Sequence, residues 1–199
     1  MRFDPGYLFG MALQTVPEPR KVARDLFDLN LPREVLWTAL ALVVVVNAAL
    51  GVLAGMMYPL DPTQMGAILS SPVLLGVIEA VFMFGMAWGI YAIGRMFGGQ
   101  GYLSDAIITV VWMEFIFLMF QALTLVLTFF APGLAAILMI GSVVLFFWIL
   151  SHFTTESHGF ASTGLVFASI LGFMILAVFA LSFILVILGV EPVPMTLPN

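Results

Sequence analysis

The sequence predicts an all-α integral membrane protein, a bundle of five transmembrane helices preceded by a short amphipathic helix. The first observation is five apolar runs, each reaching the roughly 20 residues that a helix needs to cross a hydrocarbon core of about 30 Å. The second is a composition of 63% hydrophobic and 9% charged residues over 199 positions, which leaves no room for a separate soluble catalytic domain. We expect the spans at residues 34–57, 72–96, 104–130, 134–153 and 160–190.

The third observation is the position of the basic residues, which sets the expected orientation. The six are Arg2, Arg20, Lys21, Arg24, Arg33 and Arg95. Five of them precede or begin the first span, and the predicted external segments 58–71, 131–133 and 191–199 contain no lysine or arginine. Because positive charge favours the cytoplasmic side, the N-terminus is predicted to be cytoplasmic and the C-terminus external.

Residues 1–33 form the predicted cytoplasmic or interfacial segment, and a helix with two different faces is expected from Pro19 to Leu29. Val22 and Leu26 fall on its apolar face. The basic residues Arg20, Lys21 and Arg24 fall on the other face and are the expected lipid or partner contacts. One interpretation is a helix lying in the headgroups with these residues against anionic lipid. The alternative is a docking face for a cytoplasmic protein.

The first two spans carry pairs of small residues four positions apart. Gly51 and Gly55 lie in the first span, and Gly85 and Gly89 in the second. Such pairs let helices approach closely in a membrane. They predict helix contacts, either inside the bundle or with another protein.

The predicted cytoplasmic hairpin between the second and third spans contains Gly98, Gly99 and Gly101. These glycines permit a tight reversal, and Ser104 or Asp105 is placed to cap the next helix. Arg95 and Asp105 are expected to lie at the same depth and form an ion pair. No strand precedes these glycines and the spacing is not that of a P-loop, so nucleotide binding is not expected.

Two glutamates lie inside predicted spans, where a charge is costly. Counted from the cytoplasmic ends, Glu114 is about 15 Å and Glu79 about 27 Å deep, so they are predicted at different depths. Asn47 is expected to reach Glu114, and Gln121 is expected at the level of Glu79. Hydrogen-bonded packing between helices is one interpretation. A proton or cation relay is the other.

Enzyme, metal and cofactor functions are not expected. His152, Glu156 and His158 provide three possible zinc ligands, but no His-Glu-x-x-His motif or fourth ligand accompanies them. A polar helix end is therefore the preferred interpretation. The absence of cysteine excludes thiolate sites and disulfides, and no Gly-x-Ser-x-Gly elbow occurs. The net charge of -5 does not favour nucleic acid.

Three segments carry a resemblance to a known family. They are residues 17–27 (PEPRKVARDLF), 98–106 (GGQGYLSDA) and 158–162 (HGFAS). Together they resemble the Yip1-domain family, whose members have a cytoplasmic N-terminal segment, five membrane helices and a C-terminus on the far side. This chain has Trp112-Met113-Glu114-Phe115 without the proline that many members carry in the third span.

The length of the segment before the first span bears on what the resemblance implies. For eukaryotic members, the resemblance implies a role in vesicle traffic through contacts with Rab-type GTPases. The short N-terminal segment of this chain is similar to that of the bacterial members, which implies a bacterial inner membrane location and no trafficking role.

The function expected from the sequence is non-catalytic. We predict a membrane scaffold, assembly factor or accessory subunit that associates with a membrane protein partner or with a second copy of itself. The alternative is a small proton- or cation-linked transporter or channel that uses Glu79 and Glu114.

Overall fold

The computed structural model describes residues 4–57 and 72–187 of the chain. These residues form seven α-helices and no strand. The helices are α1 (Pro5–Gln14), α2 (Pro19–Phe27), α3 (Arg33–Met57), α4 (Pro72–Met96), α5 (Leu103–Phe130), α6 (Pro132–His158) and α7 (Thr163–Ile187).

The last five helices are long and apolar enough to cross a membrane. They coincide with the five predicted runs, so the all-α five-helix membrane bundle is confirmed. The orientation of the termini stays a prediction. The predicted external loop 58–71 and tail 191–199 lie outside the described residues.

The fourth membrane helix, α6, is longer than expected. It continues to His158, five residues beyond the predicted end of the span at 153. The polar residues near its end do not stop the helix, because their hydroxyl groups bond to the backbone of the same helix. Thr155 donates to the Ser151 carbonyl at 2.6 Å, and Ser151 donates in the same way to the Phe147 carbonyl. The helix stops at Gly159, whose φ of 70° is left-handed and suits glycine.

Helix α5 is the centre of the bundle, with α3, α4 and α6 packed around it. Helix α7 packs mainly on α6 and is the most exposed of the five. Burial is concentrated at one end of the bundle, which we call the α2 end because α2 packs there. Around this end most side chains of residues 106–113 in α5 and 149–155 in α6 are buried. Toward the opposite end most side chains are exposed, as suits helices surrounded by lipid.

Helix α2 does not lay its apolar face in lipid. Both α1 and α2 begin with proline, which suits the first helical turn because that position needs no N–H donor. Val22, Ala23 and Leu26 are buried in the same core cluster as residues of α5 and α6. Phe27 meets Phe153 edge to face, with ring centroids 6.1 Å apart. The interfacial interpretation of this face is therefore wrong, because α5 and the end of α6 offer it a protein surface instead.

Candidate functional site

The α2 end of the bundle contains a buried histidine wrapped by glycines. His158, the last residue of α6, is 3% exposed. A Cβ added to Gly99 would lie 2.5 Å from the His158 ring, and one added to Gly101 would lie 2.8 Å from it. A Cβ on Gly94 of α4 would also collide with this ring. Each of these glycines therefore leaves the space that the imidazole occupies.

Hydrogen bonds define the protonation state of this histidine. The Gly101 N–H donates to Nδ1 at 3.2 Å, so Nδ1 is an acceptor. The proton is then on Nε2, which donates to the Ile90 carbonyl at 3.1 Å. The Gln100 N–H donates to the His158 carbonyl at 3.1 Å. A neutral imidazole thus joins the ends of α4 and α6 to the loop between α4 and α5.

This arrangement refines the predicted hairpin. Gly98 supplies the reversal, with a φ of 83°, whereas Gly99 and Gly101 accommodate His158. Asp105 caps α5 as expected, because its carboxylate accepts the Tyr102 N–H at 3.1 Å. Within residues 4–57 and 72–187 Arg95 forms no ion pair with Asp105, so that expectation is wrong. The Asp105 carboxylate instead faces the first turn of its own helix.

Glu156 connects α6 to the basic face of α2. Its Oε2 accepts the Arg20 Nε–H at 2.8 Å, and its Oε1 accepts the Arg24 Nε–H at 2.9 Å. The glutamate side chain is 14% exposed, whereas those of Arg20 and Arg24 are 44% and 61% exposed. Lys21 pairs with Glu18 at 3.2 Å instead. All three predicted lipid or partner contacts therefore have a partner within the chain.

The elbow between α1 and α2 is held by Glu18. The Gln14 amide donates to its carboxylate at 2.7 Å. This hydrogen bond, and then Lys21, hold the pKa of Glu18 below its usual range. A lowered pKa means that the contribution to stability is complete above the usual glutamate pKa and is lost as the pH falls through the lowered value. Glu18 therefore holds the elbow as an ionised carboxylate at neutral pH.

Two tryptophans hold the chain just after α1. The Trp112 Nε1–H donates to the Thr15 hydroxyl at 3.0 Å, and Thr15 is fully buried. The Trp148 Nε1–H donates to the Val16 carbonyl at 3.1 Å. These contacts were not predicted from the sequence, although a buried tryptophan such as Trp112 needs a partner for its N–H.

The three residues weighed as zinc ligands point to different partners. His158 is enclosed by the glycine loop and Glu156 accepts two guanidinium groups. His152 contacts Trp148, with its Nδ1 2.7 Å from the carbonyl oxygen and the two rings 4.1 Å apart. In the part of the chain that the structure describes, no group of three histidine or acidic side chains is placed to hold a metal ion.

A second polar cluster lies between α3, α4 and α5. The Asn47 amide donates to the Glu114 carboxyl at 3.2 Å, as the depth count predicted. The Asn47 amide also lies beside the Glu79 carboxyl, where Gln121 was expected. One amide is therefore near both glutamates, which are closer than the predicted depths imply. Gln121 is exposed and lines a groove of about 450 Å³ between α3, α5 and α6.

The predicted packing glycines face away from the bundle. A Cβ added to Gly51 or Gly55 of α3, or to Gly85 or Gly89 of α4, would meet no atom within 4 Å. Within the described residues these four positions therefore make no close helix contact. The interpretation that they pack inside the bundle is wrong.

The described architecture defines a class of protein, a multi-pass α-helical membrane protein with five apolar spans and an N-terminal segment docked on one end. Residues 13–184 match the family model of the Yip1 domain. The chain therefore belongs to the Yip1 family. Comparison with curated proteins and with solved structures found no match.

Proposed function

We propose that this Yip1-family protein is a non-catalytic scaffold, assembly factor or accessory subunit that acts by association within the membrane. The observation that carries the proposal is the outward position of the glycines in α3 and α4. Small residues on a lipid-facing surface allow a helix of another chain to approach closely, and van der Waals packing then stabilises the contact. The partner is another membrane protein or a second copy of this chain.

The exposed glycines offer two contact points at different levels, one on α3 and one on α4. Helices α3 and α4 pack against each other, and both expose glycines. Among the described residues, the connections after α4, α5 and α6 are short, such as Ala131 between α5 and α6. A helix from another chain would pack against α3 or α4 at membrane depth.

The first test replaces Gly85 with leucine. The tagged protein is extracted from its native membrane in mild detergent, and the mole ratio of each co-purifying chain is quantified by mass spectrometry. Differently tagged copies report self-association in the same extract. We expect a stoichiometric companion with the parent chain and at least about a tenfold smaller amount with Gly85→Leu, equivalent to about 1.4 kcal/mol of association free energy.

Gly172→Leu is the matched control, because Gly172 is also in a membrane helix and its added Cβ meets nothing within 4 Å. This variant should retain the companion. A parent chain that purifies alone, or equal losses in both variants, would contradict the association proposal.

The Asn47 cluster favours a second candidate function, a small proton- or cation-linked transporter or channel. The observation behind it is that Glu79 and Glu114 lie near the same amide, although they were expected to have separate amide partners. Two carboxyl groups this close offer successive positions where a proton or cation can bind within the bundle.

For this candidate we expect Glu114→Gln to abolish proton or cation flux into proteoliposomes that contain the parent protein. Glutamine keeps the size and hydrogen-bonding capacity of the side chain but cannot exchange a proton at neutral pH. Glu34→Gln, at an exposed position at the start of α3, is the control and should leave the flux unchanged. Equal flux in the parent and in Glu114→Gln would rule out this candidate.

A further inference from the structure

The outward faces of α1 and α2 are chemically different. The outer face of α2 carries Arg20, Lys21, Arg24 and Asp25. Helix α1 contains no charged residue at all. Its inner residues Met11 and Ala12 are buried, while three of its large apolar side chains are about half exposed or more. These are Tyr7 at 46%, Phe9 at 53% and Leu13 at 59%.

The level of the C-terminal end of α1 along the bundle is given by the two tryptophans that hold Thr15 and Val16. Trp112 lies nine residues after the start of α5, and Trp148 lies ten residues before the end of α6. At 1.5 Å per residue, Thr15 and Val16 are therefore about 14 to 15 Å inside the α2 end of these helices. Helix α1 ends immediately before this level, at Gln14.

The remaining parts of α5 and α6 have the length of a hydrocarbon core. From Trp112 to Phe130 there are 18 residues, or about 27 Å, and from Pro132 to Trp148 there are 16, or about 24 Å. The apolar core of a bilayer is about 30 Å thick, and tryptophan prefers its boundary with the headgroups. Trp148, which is 46% exposed, therefore marks that boundary, and Trp112 lies at the same level. The buried polar residues around His158 and Glu156 lie outside the hydrocarbon.

We propose that α1 is an interfacial helix, which inserts Phe9 and Leu13 into the lipid leaflet at the α2 end of the bundle. The lipid leaflet is the occupant of this face because α1 is uncharged, reaches the tryptophan level and adjoins the lipid-facing surface of α6. The sequence assigned membrane contact to α2, but the structure buries the apolar face of α2 in protein and leaves this contact to α1.

The experiment uses the absence of cysteine from the chain, so that single cysteines can be spin-labelled without other substitutions. The positions are Phe9→Cys and Leu13→Cys on α1, Lys21→Cys on the charged face of α2, and Val144→Cys on α6. Val144 is 68% exposed and lies one turn from Trp148 toward the opposite end of the bundle, so it serves as the lipid-facing reference. Each full-length protein is reconstituted in vesicles of phosphatidylcholine and phosphatidylglycerol.

The measurement is the accessibility of each label to oxygen, which concentrates in lipid, relative to a water-soluble nickel chelate. At positions 9 and 13 we expect a ratio within about threefold of that at 144 and about tenfold above that at 21, as for an interfacial helix. A ratio at 9 and 13 equal to that at 21 would place α1 in water and overturn the proposal. Low accessibility to both reagents would mean that protein covers this face, which would also overturn it.

Discussion

Replacing Gly94 with alanine is expected to destabilise the protein by about 3 kcal/mol, because the new methyl group would overlap the buried His158 ring. At a helix position with open space around it, changing glycine to alanine stabilises the protein by up to about 1 kcal/mol. The destabilisation expected at Gly94 therefore comes from the collision with the ring. The ring has little freedom to move, since Gly99 and Gly101 enclose it and both of its nitrogens are hydrogen-bonded. Thermal unfolding in detergent, followed by tryptophan fluorescence, measures the effect.

Gly141→Ala provides the control for that experiment. Gly141 lies in α6, and a Cβ at this position meets no atom within 4 Å. Its melting temperature should equal or exceed that of the parent. In a double-mutant cycle, Gly94→Ala should cost much less when His158 is also alanine, because the collision is then removed. If the Gly94→Ala variant has the same melting temperature as the parent protein, the imidazole does not lie against α4.

The second large effect is expected from Glu156→Gln, which removes the negative charge shared by Arg20 and Arg24. Both arginines are about half exposed, so we expect each pair to contribute less than about 1 kcal/mol. Loss of both ion pairs should increase the fraction of molecules in which α2 is detached from the bundle about tenfold relative to the parent protein. Trypsin cleavage after Arg20, Lys21 and Arg24, followed in detergent by mass spectrometry, should accelerate by the same factor, because cleavage requires the detached state.

Glu34→Gln is the matched control for the protease experiment, since it removes one exposed negative charge near α2 without touching the arginine pairs. Its cleavage rate should equal that of the parent. Equal rates for Glu156→Gln and the parent would mean that the two ion pairs do not hold α2 on the bundle.

The sequence was sufficient for the features that depend on local pattern. The five spans follow from run length and hydropathy, and the structure places all five. The glycine-rich turn and its cap at Asp105 follow from backbone preferences. The contact between Asn47 and Glu114 follows from counting residues along helices of known rise, because α3 and α5 are neighbours.

The features that the sequence could not supply depend on contacts between distant segments. Counting residues from the helix ends placed Glu79 and Asn47 at different depths. That count assumes that all helices start at the same level and are not tilted. Nothing in the pattern of α2 distinguishes a lipid surface from the end of α6, so the partner of Arg20 and Arg24 was missed. The glycines around His158 suggested only a turn, since the ring that fills their space is 57 residues away from Gly101.

The uneven burial of the bundle has a consequence for membranes of different thickness. At the α2 end the histidine, the arginine pairs and the tryptophans fix the helices relative to one another. At the opposite end most side chains are exposed, so the helices can change their tilt there with little loss of protein packing. Hydrophobic mismatch is relieved by such tilting. The protein can therefore match thin and thick bilayers from one side only, while its docked N-terminal segment keeps the same shape.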